Sequence, residues 1–189
     1  MINTKELNFL KNVIHSRLES EMNGTEVNLP IFGNEKTDHS ELENFILKNK
    51  LTNPEIITLL LTLIPHVIPD FFSKLIGEYL PNGGDFPAFG GVRGKNHRGI
   101  LPTGETVLFI LAGSNIEKRS TWMGLFSEDH LFARKGVLYL EEVPVGEPRL
   151  SGRLIMEHEF VDLFTAGSVS KPKLSSDFPA QLIETELEW

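Results

Sequence analysis

Apolar positions in the first eighty residues recur every three and four residues, the period of a helix with one buried face. Leu7, Leu10, Val13, Ile14 and Leu18 form the first such stripe, with Thr4 placed to cap it and Asn23-Gly24 to stop it. Residues 24–38 read as an extended polar connection, anchored to the core by Leu29, Pro30, Ile31 and Phe32. Ser40 and Glu43 have the spacing of a capping box ahead of Leu42, Phe45, Ile46 and Leu47. Asn53-Pro54-Glu55 reads as a cap, a proline where its missing N–H costs nothing, and an acid on the positive helix end. The helix that follows, through Ile64, is apolar nearly all round and is expected at the centre of the fold. Pro65 and Pro69 bracket a turn, and Asp70 to Tyr79 forms a further helix.

The periodicity stops at residues 81–104. This stretch holds Gly83, Gly84, Gly90, Gly91, Gly94, Gly99 and Gly104, the prolines 81, 87 and 102, and the cations Arg93, Lys95 and Arg98 with His97. A loop of that length inside a folded chain is more often functional than not. Beyond it, Thr103 caps a helix from Gly104 to Ala112, and Gly113-Ser114-Asn115 ends that helix and caps another, about Ile116 to Phe126. Gly136 to Leu140 reads as a strand, Glu141 to Pro148 as a long turn, and Leu150 to Met156 as the returning strand. Helix, short turn, helix, strand, turn, strand is the order of a winged-helix module. A short helix from Glu157 to Phe164, ended by Gly167, and a strand-like 181–189 complete the chain.

The expected fold is therefore α+β and predominantly helical. One compact unit spans 1–189, with a helical bundle over 1–80, a glycine-rich basic loop over 81–103, and a winged-helix-like part with a small antiparallel sheet over 104–189. At 189 residues the chain suits a single domain, and a chain of this mass buries roughly 70% of its unfolded surface. It has no cysteine, which excludes disulfides, thiolate metal sites and a cysteine nucleophile. The amino terminus is no signal peptide, and the longest apolar run, Ile56 to Ile64, is about half a membrane span, so a cytoplasmic protein without a membrane partner is expected.

The formal net charge is −8, which disfavours nucleic acid as a partner because phosphate neutralisation supplies most of such affinity. Within the expected second helix Lys118 and Arg119 face out, but Glu117, Glu128 and Asp129 flank them, and the wing carries Glu141, Glu142 and Glu147 against Arg149. Gly90-Gly91-Val92-Arg93-Gly94-Lys95-Asn96 suggests a phosphate cradle. A Walker A loop needs G-x-x-x-x-G-K-[ST], however, and here Phe89 takes the first glycine's place and Asn96 the hydroxyl's. Pro102-Thr103-Gly104-Glu105-Thr106 has a glutamate where the lysine belongs. Glu157-His158-Glu159-Phe160-Val161-Asp162 has Asp162 where a zincin has its second histidine, and the six histidines are scattered at 15, 39, 66, 97, 130 and 158. Ser151 has no base beside it and no nucleophile elbow around it. Adjacent Glu141 and Glu142 point to opposite strand faces and form no dyad. No catalytic, metal or cofactor residue emerges. The loop residues Arg93, Lys95, His97 and Arg98 are left as a partner-binding candidate.

Several stretches together resemble a known pattern. They are Phe86-Pro87-Ala88-Phe89-Gly90-Gly91, His97-Arg98-Gly99-Ile100-Leu101-Pro102-Thr103-Gly104-Glu105-Thr106, Leu108 to Gly113, Gly146 to Gly152, and Asp177-Phe178-Pro179-Ala180-Gln181. This resembles the amino-terminal, pre-ATPase region of bacterial AAA+ ATPases encoded with phage-tail-like contractile injection systems. The resemblance implies a non-catalytic accessory or adaptor domain, with ATP and Mg²⁺ held only by an AAA+ module following Trp189 in the same polypeptide. Its implied partners are that module and a protein of the injection apparatus, and its implied role lies in assembly or remodelling. The alternative from the element order is a winged-helix DNA-binding module.

Overall fold

The computed structural model describes residues 3–33, 40–80, 82, 84 and 86–168. Helix α1 (Thr4–Asn23) is capped one residue earlier than expected: the Asn3 side chain accepts from Lys5 N, and Glu6 reaches back to Asn3 N at 2.9 Å. Gly24 closes it in the left-handed region (φ 62°), which costs a glycine nothing. Helix α2 (Glu41–Asn49) keeps the expected Ser40–Glu43 box. Helix α3 (Asn53–Val67) is capped by Thr52, whose N–H and hydroxyl both donate to Glu55 at 2.6 Å. The expected cap, Asn53, has another task. It accepts from Phe32 N at 3.0 Å and donates to the Pro30 carbonyl at 2.9 Å, pinning the extended connection. Phe32 is buried there, while Ile31, expected to anchor beside it, is 83% exposed.

Pro65 does not end α3. It removes only the donor to the Leu61 carbonyl, and Ile68 N still donates to Ile64 O at 2.9 Å, so the helix runs on to Val67. Helix α4 (Phe71–Tyr79) follows as expected. The stretch expected as a loop is instead folded. A 3-10 turn (Pro87–Phe89) leads into strand β1 (Val92–Arg93), which pairs antiparallel with β2 (Ile100–Leu101) in the register Val92↔Leu101 and Arg93↔Ile100. Helix α5 (Gly104–Ala112) is capped by Thr103 and is buried almost throughout.

Helix α6 (Ile116–Trp122) is shorter than expected, because Met123–Phe126 tighten to a 3-10 turn. A short α7 (Leu131–Arg134) then precedes β3 (Leu138–Leu140). The partner β4 (Leu154–Met156) begins later than expected, because Arg149–Ser151 form a 3-10 turn. Helix α8 (His158–Ala166) ends on Gly167.

The fold is thus mostly helical α+β with two small antiparallel sheets. Helices α1, α3 and α5 pack on one another at the centre, and α8 packs on α2 and α3. The two hairpins are linked: Thr103 bridges Arg153, and Leu154 N donates to Pro102 O at 2.9 Å. The strand expected over 181–189 lies outside the described residues. No single described helix is long and apolar enough to cross a membrane.

Candidate functional site

The glycines of residues 90–104 allow backbone to lie against backbone. Gly90 and Gly91 have φ of 68° and 86°; a Cβ at Gly90 would sit 2.8 Å from the Glu105 Cβ, and one at Gly91 2.6 Å from the Ile100 Cγ2. Their close approach lets Gly91 N donate to the Thr103 hydroxyl at 3.2 Å, which also accepts from Thr106 N. Phe89 is fully buried, and Phe86 and Phe89 stand edge-on to Phe109 of α5 at 5.4 and 6.0 Å between ring centroids. The start of α5 is therefore covered by its own loop, and these glycines clamp a helix where a phosphate loop would hold an anion.

That clamp presents all four sequence-predicted residues on one β1–β2 hairpin. Arg93, Lys95 and Arg98 are exposed, and none has an ion pair or side-chain hydrogen bond among the described residues. His97 is half-buried, and its Nε2 is shielded from solvent with no hydrogen-bond partner among the described residues. Next to the hairpin lies a groove of about 480 Å³, walled by Ile76 of α4, Phe86, Val92 and Ile100, with Arg93 on its rim. Apolar side chains interleaved with polar surface, with a cation at the edge, suit an apolar side chain followed by acidic ones.

The histidines scattered in sequence partly converge in space. Packed surroundings first, then the charges of His158 and His97, hold His66 below the ordinary histidine range, although the residue as a whole is exposed. No group of three His, Asp or Glu side chains among the described residues is arranged to hold a metal ion.

The expected recognition surface on α6 is altered by Arg119. Its guanidinium turns onto Glu105 and donates to the Gly113 carbonyl at 3.1 Å, bracing the end of α5, so it does not face out as expected. In the expected wing, Arg153 grips Glu141 through both oxygens and holds its carboxyl below the usual carboxylate range, and Arg149 donates to the Phe126 carbonyl. Ser151 donates to Pro148 O at 2.6 Å, a turn bond.

Among the charged side chains that the sequence did not single out, one lines a cleft. Arg17 sits within the apolar stripe of α1 and is only 6% exposed. Its Nε donates to the Ile110 carbonyl at 2.9 Å, and burial pushes its guanidinium below the usual value, with Glu21 opposing. The available signal was its position, between Val13-Ile14 and Leu18 on the buried face.

Comparison of the chain with protein-family models, curated proteins and solved structures returns no match.

Proposed function

We propose that this chain is a non-catalytic accessory domain of an AAA+ ATPase of the kind that accompanies phage-tail-like contractile injection systems, working in the cytoplasm. Its β1–β2 hairpin docks an acidic segment of a protein partner during assembly or remodelling of that apparatus. The observation that supports this reading most is the set of three exposed cations without an ion pair among the described residues, Arg93, Lys95 and Arg98, on one hairpin whose Arg93 lines a groove, in a chain of net charge −8. ATP and Mg²⁺ belong to the AAA+ module of the same polypeptide, and no residue described above is assigned to them. In an affinity measurement between the chain and the apparatus protein that co-purifies with it from the native source, Arg93→Glu, Lys95→Glu and Arg98→Glu together weaken binding at least tenfold without lowering the melting temperature. Unchanged affinity rejects the hairpin as the interface.

The order of α5, α6, β3 and β4 supports a second reading, a winged-helix-like DNA-binding module. The seven-residue α6, the inward turn of Arg119 and exposed Glu142 and Glu147 weigh against it. DNA retention that falls steeply with salt would favour it, and no retention at low salt disposes of it.

A further inference from the structure

A cleft runs between the segment following α1 and the face of α6, and it shares no lining residue with the groove beside the β1–β2 hairpin. Its polar half is a pocket of about 310 Å³ with Arg17, Glu21 and Lys118 in its walls. Its apolar half, about 320 Å³, shares Lys118 and adds Leu29, Leu111 and Trp122. Each half lies within the size range of small-molecule sites. Arg17 closes the polar half. Only its Nε is bonded, and its two terminal nitrogens carry no hydrogen bond or ion pair among the described residues. The side chain is largely withdrawn from water, which costs a cation free energy, and the charge of Glu21 offsets that cost only in part. The carbonyls at the end of α5 do not offset this for a ligand's charge, because Arg17 holds Ile110 O and Arg119 holds Gly113 O.

We propose that this cleft binds a small monoanionic carboxylate with an apolar body. The two terminal nitrogens of Arg17 form the fork that a carboxylate meets with two parallel hydrogen bonds. Lys118 adds a second positive charge at the mouth, but Glu21 lies on the same wall. One negative charge is therefore accommodated better than the two of a phosphate monoester. The hydrocarbon body lies along Leu29, Leu111 and the Trp122 ring, where it loses its contact with water. The site is independent of the hairpin and of the ATPase reading.

Trp122 is its own reporter, since the only other tryptophan is Trp189. The full chain carrying Trp189→Phe is titrated with octanoate, octanamide and octyl phosphate while Trp122 emission is read. Octanoate gives a saturable shift, and octanamide binds about tenfold or more weakly, the value of a charge-assisted hydrogen bond. Octyl phosphate binds less tightly than octanoate. Arg17→Lys keeps the charge but loses the fork and weakens octanoate about tenfold; its melting curve verifies that it folds. Should it not fold, the octanoate–octanamide ratio in the parent chain decides alone. No saturable shift with octanoate, equal affinity for octanamide, or tighter binding of octyl phosphate overturns the proposal.

Discussion

Gly99→Ala tests how the basic hairpin is held on the helical body. A Cβ at this position would lie 1.9 Å from the Pro69 carbonyl oxygen and 2.8 Å from His97 Nε2. The histidine ring can rotate, but the carbonyl belongs to the backbone between α3 and α4. Carbon and oxygen rest at about 3.3 Å or more, so the hairpin must retreat from this corner by roughly 1.4 Å. A gap of that size removes more than half of the dispersion energy of the contacts it opens. It also stretches the 3.3 Å bond from Ile100 N to Ser73 Oγ. Overpacking of this kind costs about 1–3 kcal/mol, which lowers the melting temperature of a chain this size by about 2–12 °C.

Gly77→Ala is the matched control. Gly77 lies inside α4 with nothing within 4 Å of its Cβ position. Alanine there gains about 0.5–1 kcal/mol of helix propensity, a rise of about 1–4 °C. Thermal denaturation followed by circular dichroism measures both. Gly99→Ala melting with or above the parent would refute the proposed docking of the hairpin on Pro69.

The remaining predictions concern buried polar groups. Burial first and the charge of Glu43 raise the Glu6 carboxyl above its usual value, against its backbone hydrogen bonds, so the native state keeps a proton that the unfolded chain has released. Stability therefore falls as pH rises from the ordinary carboxylate range through the raised value, and the loss persists above it. Glu6→Gln, which still accepts from Asn3 N, raises the melting temperature at pH 7 and not at pH 4; the same gain at both pH values rejects the argument. Thr103→Val keeps the shape of a residue only 1% exposed but removes the acceptor of Thr106 N and Gly91 N. It costs about 1–3 kcal/mol by the desolvation of unpaired donors, read as a lower denaturant midpoint with unchanged slope. Glu141 works in the opposite sense to Glu6: its pairing with Arg153 is lost as pH falls through a carboxyl value held below the usual range. Because both side chains are partly exposed, Glu141→Gln lowers the melting temperature only slightly at pH 7 and not at pH 2.

The elements that were legible in the sequence carry their signals within a few residues. Thr103, the apolar run to Ala112 and Gly113 define α5 unaided, as Ser40 with Glu43 defines the start of α2. Asn3 and Thr52 displaced the expected caps Thr4 and Asn53 because several polar residues stand next to each other, and tertiary contacts choose among them. Asn53 was taken by Phe32 and Pro30, which no local rule foresees. The β1–β2 hairpin was hidden because two-residue strands carry no alternation, and its glycines answer to Pro69, Glu105 and Ile100 across the fold. The four hairpin residues were legible as a charge cluster, whereas the groove beside them depends on Ile76 and Phe86 arriving from elsewhere. Arg17 was legible only as an exception in an apolar stripe, and its bond to the Ile110 carbonyl is a property of the packed cleft.

The accessory-domain account is tested most directly on the native protein. An antibody against this domain isolates it from its source, and intact mass with peptide coverage is measured. The account predicts a mass well above 21.3 kDa and a peptide beyond Trp189 containing G-x-x-x-x-G-K-[ST]. A native polypeptide of 21.3 kDa that brings down no P-loop protein would contradict it.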